Sequence, residues 1–409
     1  MREMKDSGVK WIGEIPVTWN VYRNKNAFVC SKDLVGGKSS ETQLLSLTTK
    51  GIKLKDINNA EGKLPESFDT YQYVKKDEMV MCLFDLDCSA VFSGLSPYDG
   101  MISPAYKVLT CTDRMEPKYA DYWFQYISHG RKFNHYAKNI RYTLSYEEFS
   151  ALPMLFPDRE EQIRISNYLD AKCSKIDEII EKQHAIIEKL KEYKLSYINE
   201  VTNVNDGIKC HLGFIGQMKN GLNFTDTSEG HKIKFLGVGD FKDNFFVDKE
   251  EMFSTIISEE NVAEDYMLHS GDIVFVRSNG SKELVGRAVM VNGIEYPVTY
   301  SGFCIRFRNI RPDIIDSKFL LYYFRSLDFR NQWEKYSQGS NISNLNQDLL
   351  SSLQFTIPSK DYQKRRLDEM EIKCKEIDNA VIKFEGMNNK LQEYKKSLIY
   401  EVVTGKKEV

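Results

Sequence analysis

Apolar residues recur in alternating steps of four and three along two stretches of the chain. The first runs Leu169, Cys173, Ile176, Ile180, Gln183, Ile187, Leu190, Lys194, Tyr197 and Val201. The second runs Met370, Cys374, Ile377, Val381, Phe384, Asn388, Leu391, Lys395, Leu398 and Val402. This is the spacing of a coiled-coil seam, and charged residues fill the remaining positions. Pro157 and Pro358 stand just before the two stretches, where proline is tolerated and backward extension of a helix is not. The pattern predicts two long helices, each with a seam of roughly 50 Å at 1.5 Å per residue. Before each helix lies a region of about 150 residues that alternates short β-rich runs with turns, typical of a domain in size. Residues 80–84 and 273–276 read as strands following turns, and residues 117–128 and 317–326 read as helices. The expected fold class is α/β (α+β), with two globular parts of mixed sheet separated by two long antiparallel coiled-coil helices.

The chain repeats itself. Laying residues 148–202 over 349–403, with an ungapped offset of 201, gives 19 identities in 55 pairs. Unrelated segments of ordinary composition would give about three or four, so the match marks a tandem duplication. Pro157, Gln162 and Arg164 match Pro358, Gln363 and Arg365. A weaker similarity, shifted by one residue, aligns Lys118, Tyr122, Phe124 and Tyr136 with Lys318, Tyr322, Phe324 and Tyr336. Two equivalent globular parts held on matched helices suit a pseudo-twofold reader of a split DNA site.

Each seam carries polar interruptions: Gln183 and Lys194 in one, Asn388 and Lys395 in the other. Antiparallel packing with Leu169 opposite Val402 puts Gln183 opposite Asn388. A buried polar pair there would fix register; the alternative is that both side chains reach solvent or a partner.

Composition narrows the function classes. The chain of 409 residues is 42% hydrophobic and 28% charged, as in ordinary globular proteins. No apolar run approaches the roughly 18–20 residues of a membrane helix, and the polar first ten residues do not read as a signal peptide. The expected compartment is the cytoplasm. The net charge of −3 argues against non-specific coating of DNA, though not against locally clustered basic residues. The eight cysteines form no C-x-x-C pair and no zinc pattern. Cys173 and Cys374 fall on the helical seams and read as reduced core positions, and no metal site is expected.

Two segments have residue types suited to DNA. Residues 122–146 contain no acid until Glu147 follows them. They hold Arg131, Lys132, Lys138, Asn139 and Arg141 among Phe133, Tyr136 and Tyr142. Such a mixture suits phosphate contact and stacking; a solvated helix face with a packed aromatic side is the plainer reading. In the second half, Arg277, Ser278, Asn279 and Lys282 lie on a glycine-containing loop that follows a strand, with Arg287 just beyond. Arginine and lysine suit guanine edges and asparagine suits adenine; a plain hairpin loop is the alternative. The positional counterpart in the first half, residues 83–89, is acidic.

Catalytic readings fare poorly. Phe235-Leu-Gly-Val-Gly239 has the look of a methyltransferase cofactor loop, but such a loop needs a strand, a glycine turn and then a helix. Here Asp240 and its successors read as a turn and another strand. The sequence has no Asn/Asp-Pro-Pro-aromatic motif, no phosphate-binding G-x-x-x-x-G-K-[ST], no G-x-S-x-G and no carboxylate cluster with a nuclease lysine. No catalytic residue is expected.

The chain resembles the specificity subunits of type I restriction–modification systems. The string Trp11-Ile-Gly-Glu-Ile-Pro16, within residues 5–19, is similar to their N-terminal segment. The half-ends Leu152 to Pro157 with Gln162, and Leu353 to Pro358 with Gln363, each followed by a helix closing on Glu-Val, fit as well. The resemblance implies target recognition domains at residues 1–155 and 205–357. It implies helical spacers at residues 156–204 and 358–409. Each recognition domain would read half of a bipartite site in double-stranded DNA. The spacers would dock two modification (methyltransferase) subunits and, with them, restriction (translocase–nuclease) subunits. The chain would hold no cofactor; S-adenosylmethionine, ATP and Mg are expected on those partners. Seam and docking positions are Leu169, Ile176, Ile180, Ile187, Leu190 and Tyr193 in the first helix. In the second they are Ile377, Val381, Leu391, Tyr394 and Leu398. Two departures stand out in the second half: Tyr362 replaces a charged residue, and Gly386 interrupts the helix at a cost of about 1 kcal/mol relative to alanine. The competing class is a coiled-coil scaffold that binds proteins rather than DNA.

Overall fold

The computed structural model describes residues 2–48, 51–56, 65, 67–86, 93–137, 142–224, 230–258, 261–337 and 344–409. The candidate positions Lys138, Asn139 and Arg141 lie outside the described residues. The chain folds as two compact units, residues 1–183 with 386–409 and residues 184–385. The expected long helices run Arg159–Thr202 and Lys360–Val403, each continuous for 44 residues, the second straight through Gly386 without a break. Each helix divides between the units.

The first unit is built on a four-stranded antiparallel sheet in the order Phe28–Ser31, Lys107–Cys111, Met79–Met81, Ser93–Leu95. Alternate residues of a strand point to opposite faces. Met79, Met81 and Leu109 accordingly join one core with helix Pro117–His129 and the long helices, while Val80 and Val108 join another. The second unit has the counterpart, a five-stranded sheet in the order Gly216–Asn220, Cys304–Asn309, Ile273–Val276, Ala288–Val291, Phe246–Val247. Ile273, Phe275, Ala288 and Met290 face helix Ser317–Phe324, and Val274, Val276, Val289 and Val291 face a smaller three-stranded sheet. Strand Ile273–Val276 is buried throughout, which explains its unbroken apolar sequence.

The seams are what the spacing predicted. In the first unit Leu169 and Cys173 share a core with Leu398, Ile399 and Val402. In the second, Ile198 and Val201 share one with Leu367, Met370 and Cys374. Within each unit the start of one helix therefore meets the end of the other, the antiparallel arrangement. Ile176, Ile187, Ile377 and Leu398 are buried, and Ile180, Leu190, Val381 and Leu391 are half-buried. Cys173 and Cys374 are buried free thiols, and burial pushes the Cys374 thiol up to about 11.

The duplicated residues make duplicated bonds. Gln162 accepts from Glu116 N and donates to the carbonyls of Pro157 and Arg114. Gln363 accepts from Asp316 N and donates to those of Pro358 and Ile314. Both glutamines are buried at 1% exposure, so each repeat identity reflects a polar side chain with no freedom to change. The seam lysines behave alike. Lys395 Nζ bonds both oxygens of Asp177 in the first unit, and Lys194 Nζ bonds Asp378 at the same 2.7 Å in the second. Each lysine lays its stem along the seam and carries its charge to the neighbouring helix.

Gln183 and Asn388, both in the first unit, are buried as the register reading requires. Gln183 Oε1 and both amide atoms of Asn388 nevertheless make no hydrogen bond. The seam thus confines these polar groups without satisfying them, at about 1–3 kcal/mol for each unsatisfied group. Replacing both with leucine is expected to stabilise the first unit by a few kcal/mol on that scale. Denaturant titration of the double variant, followed by hydrogen exchange in residues 159–183, measures it; a lowered midpoint would show that the amides hold the helices together.

Two sequence peculiarities gain a cause. Trp19, Ile15 and Ile12 of the N-terminal segment are buried against Ile399, Val402 and Val403 in the first unit. Trp19 Nε1 donates to Glu161 Oε2 at 2.9 Å, and Arg2 pairs with the other oxygen of Glu161. Tyr362 occupies the position of Glu161 in the repeat, and its hydroxyl donates instead to Val201 O at 3.0 Å. The charged residue exists where an N-terminal tryptophan and arginine need a carboxylate.

Candidate nucleic-acid interface

In the second unit, Asn220 pairs with Ile305, Val276 with Cys304 and Phe275 with Ala288, so these positions share one end of the sheet. The chain beyond that end supplies Asn223, Phe303, Arg277 and Arg287, brought together from distant parts of the sequence. Arg277 N donates to Phe303 O at 2.8 Å, and Leu345 N donates to Arg277 O at 2.9 Å. Phe303 is exposed to 58%. Gly302 lies so close to Asn223 that a Cβ on it would meet Asn223 Oδ1 at 2.1 Å. The side-chain amide of Gln347 lies beside Asn220 and Met218 O, about 3 Å from each. A guanidinium, several carboxamides and an open aromatic ring make a surface chemically suited to base edges and base faces.

The predicted loop residues divide here. Arg277 and Ser278 are half-buried at the root of the loop; Asn279 and Lys282 are exposed. Asn279 Oδ1 accepts from Ser281 N at 2.9 Å, which tightens the turn. Arg287 reaches the same end but bonds Lys242 O and Asp243. Asn220, Asn223, Phe303 and Gln347 escaped the sequence reading because no local pattern links them; only strand register does.

The first unit has the corresponding end. Leu144 N donates to Leu83 O at 2.8 Å, the counterpart of the Leu345–Arg277 bond, and Leu86 N donates to Tyr142 O. Phe84 stacks on Tyr106 with centroids 6.0 Å apart, and Tyr142 is exposed. Lys107 follows Tyr106 and opens the central strand, while Lys32 follows the neighbouring one. Both lysines pull down the Cys30 thiol, although burial raises it overall. The segment at residues 83–86, which looked acidic in sequence, thus has lysines and aromatic rings beside it.

The basic stretch separates into two places. Residues 142–144 join the sheet end, as the bonds to Leu83 and Leu86 show. Arg131 and Lys132 sit elsewhere in the unit: Lys132 Nζ lies 5.8 Å over Tyr126, whose ring meets Tyr400 of the second long helix at 5.3 Å. Arg131 is exposed and left-handed at φ 47°. His129 beside them is lowered from its ordinary value of 6.5, first by burial and then by Lys396 and Lys395. A histidine with a depressed folded pKa contributes stability that is full above about pH 6.5 and falls as the solution is acidified. Thermal melts at several pH values should show this loss, and His129→Gln should flatten it; an unchanged slope in the variant would assign the acid sensitivity elsewhere.

The methyltransferase-like string takes no cofactor fold. Strand His231–Leu236 runs into a single 3-10 turn, Val238–Asp240, where Asp240 Oδ2 accepts from Gly237 N, and no helix follows. Among the described residues no group of His, Cys, Asp and Glu is arranged to hold a metal ion, and no helix is long and apolar enough to cross a membrane.

Comparison with known proteins agrees with this architecture. Residues 210–399 match the family model described as the type I restriction modification DNA specificity domain. The EcoKI specificity subunit of Escherichia coli K12 is 25% identical over 146 residues, 36% of this chain and 31% of that protein. The StySPI specificity subunit of Salmonella potsdam is 24% identical over 145 residues, 35% of this chain and 30% of that protein. Each match thus covers less than a third of the relative's own length. A structure from a study of assembly and conformational transition of the type I R-M system superposes over 96% of this chain and 99% of its own, with a TM-score of 0.71 and 13% identity. The HsdS subunit of Thermoanaerobacter tengcongensis covers 96% and 98%, with a TM-score of 0.50 and 13% identity. Residues 210–399 thus match the type I restriction modification DNA specificity domain, and the chain has the fold seen in the subunits of those systems.

Proposed function

We propose that this chain is the DNA-reading, non-catalytic subunit of a type I restriction–modification complex, with each unit reading one half of a split duplex site through its sheet end. The observation that carries the reading is the gathering of Arg277, Asn220, Asn223, Gln347 and Phe303 at one sheet end, within a DNA specificity domain. Side-chain hydrogen bonds to base edges specify sequence, and phosphate contacts position the protein. Arg131, Lys132, Lys282 and the undescribed Lys138 and Arg141 are assigned to phosphates, as are Asn279 and the undescribed Asn139; Arg277 is assigned to a base.

The helices supply docking faces for partners. Ile186 and Tyr193 on the first helix are 41% and 49% exposed, and Met387 and Tyr394 at the repeat-related positions of the second are 41% and 54% exposed. Matching exposed apolar pairs support two copies of one partner, assigned here as the methyltransferase subunit carrying S-adenosylmethionine. Restriction subunits, using ATP and Mg, join the same assembly. Tyr193 and Tyr394 are therefore docking residues, whereas Leu169, Ile176 and Leu398 serve the seam.

The test is duplex binding by the chain in complex with its methyltransferase partner. A split site should be preferred, with log affinity falling linearly against log salt. Arg277→Ala is expected to cost about 1–3 kcal/mol on the preferred site and relax one position of one half-site. Binding with no preferred sequence would favour the scaffold reading.

A further inference from the structure

We propose that a cavity in the second unit, between Arg325 and Val381, binds an organic carboxylate carried on an apolar body. The cavity has a volume of about 560 Å³, within the range of small-molecule sites. Its walls are of two kinds. Leu195 of the first long helix and Ile377 and Val381 of the second line one side with aliphatic carbons, joined by Val285 and Leu327. Arg325, Arg287 and Lys194 line another part, around the ring of Phe245.

The cations there are not equivalent. Lys194 is neutralised by Asp378 at 2.7 Å, and Arg287 by Asp243 at 3.1 Å. Glu283 and Glu385 also reach the cavity wall, but neither pairs with Arg325. Arg325 makes no ion pair among the described residues; Asp243, which acts on it through its charge, is bonded to Arg287. Its guanidinium lies 4.4 Å over Phe245, and Nη1 donates to the carbonyls of Ala288 at 3.1 Å and Asn244 at 3.4 Å. Nε and Nη2 make no such bond among the described residues and are not closed off in the protein interior. Burial, with Arg287 nearby, pushes Arg325 down to about 10. A guanidinium fixed by carbonyls on one side and open on the other presents a donor pair to a carboxylate, which it can take in bidentate fashion.

The fold does not require arginine here. In the alignment of the two halves Arg325 corresponds to Gln125, which donates to Asp121 at 2.8 Å in the first unit. The repeat as such therefore does not demand a charge at this position. The aliphatic wall opposite sets the rest of the ligand: one or several methylene groups rather than a second charge.

Calorimetric titration and thermal melting of the full chain with hexanoate, acetate and inorganic phosphate test the site. Hexanoate is expected to bind saturably and at least tenfold more tightly than acetate, because acetate leaves the aliphatic wall untouched. Arg325→Gln copies the first unit's residue and should fold, yet weaken hexanoate at least tenfold. Leu327→Trp, at an exposed wall residue outside the helical seam, narrows the apolar end with Arg325 intact and should abolish binding while the melting temperature of the unliganded chain holds. Equal affinity for hexanoate and acetate, tighter binding of phosphate, or hexanoate binding unaffected by both substitutions would each overturn the assignment.

Discussion

Exchanging residues 205–357 for the matching region of a related subunit should rewrite one half of the recognised DNA site and leave the other half unchanged. The expectation follows from how the second unit is closed. Its sheet is covered by its own helix Ser317–Phe324 on one face and its own three-stranded sheet on the other. The base-reading candidates are fixed by strand register inside that unit. The contacts the graft must keep are those to the long helices. They are made chiefly by residues outside the sheet end, such as Asp328, whose N–H donates to Asn199 Oδ1 at 2.8 Å. Mapping methylated adenines in a host carrying the exchanged chain measures the result. Changes in both half-sites would defeat the assignment of one half-site to each unit. Inserting a heptad into one helix is the complementary test, and should alter spacing or assembly while preserving the half-sites.

Trp19→Ala is expected to be the most damaging single substitution in the first unit. Trp19 is fully buried, and truncating such a side chain typically costs about 3–5 kcal/mol. It also deprives Glu161, itself only 5% exposed, of the indole donor at 2.9 Å. The surroundings cannot collapse into the space easily: Gly405, at φ 70°, already approaches Pro16 and Trp19 so closely that a Cβ would sit 2.4 Å from Pro16 Cδ. Trp19→Phe should recover part of the loss by restoring volume without the donor. Hydrogen exchange resolved by region is the measurement. Protection should fall in residues 159–183 and 386–403 while strand Ile273–Val276 keeps its own. Uniform loss across both units would instead make the N-terminal segment a determinant of global stability.

The extent of sequence legibility follows the range of the interactions involved. The long helices were readable because their signal is local: a four-three step repeats along the chain, and every position on it, from Leu169 to Val201 and from Met370 to Val402, is buried or half-buried in the structure. Helix Pro117–His129 and strand Ile273–Val276 were readable for the same reason. The duplication was also visible, since Gln162 and Gln363 are identical and bond equivalent backbone groups. The candidate sheet-end surface was read only in part. Arg277 stood out as a basic residue on a glycine-containing loop. Asn223, Phe303 and Gln347 did not, and residues 83–86 looked acidic because Lys107 and Lys32, which flank that sheet end, lie 21 and more residues away in sequence.

What the sequence by itself determined was therefore the periodic architecture: two helices and two equivalent globular parts. Periodicity and duplication are properties of neighbouring residues, and burial of one helical face leaves few alternatives. The tertiary structure alone decided which side chains meet at the sheet ends, that Lys194 and Lys395 reach across to aspartates, that Glu161 serves Trp19, and that Arg325 faces a cavity with no ion pair among the described residues. Each of these depends on strand register or helix pairing between segments far apart in the chain, where a change of one residue in alignment would send the same side chain to the opposite face.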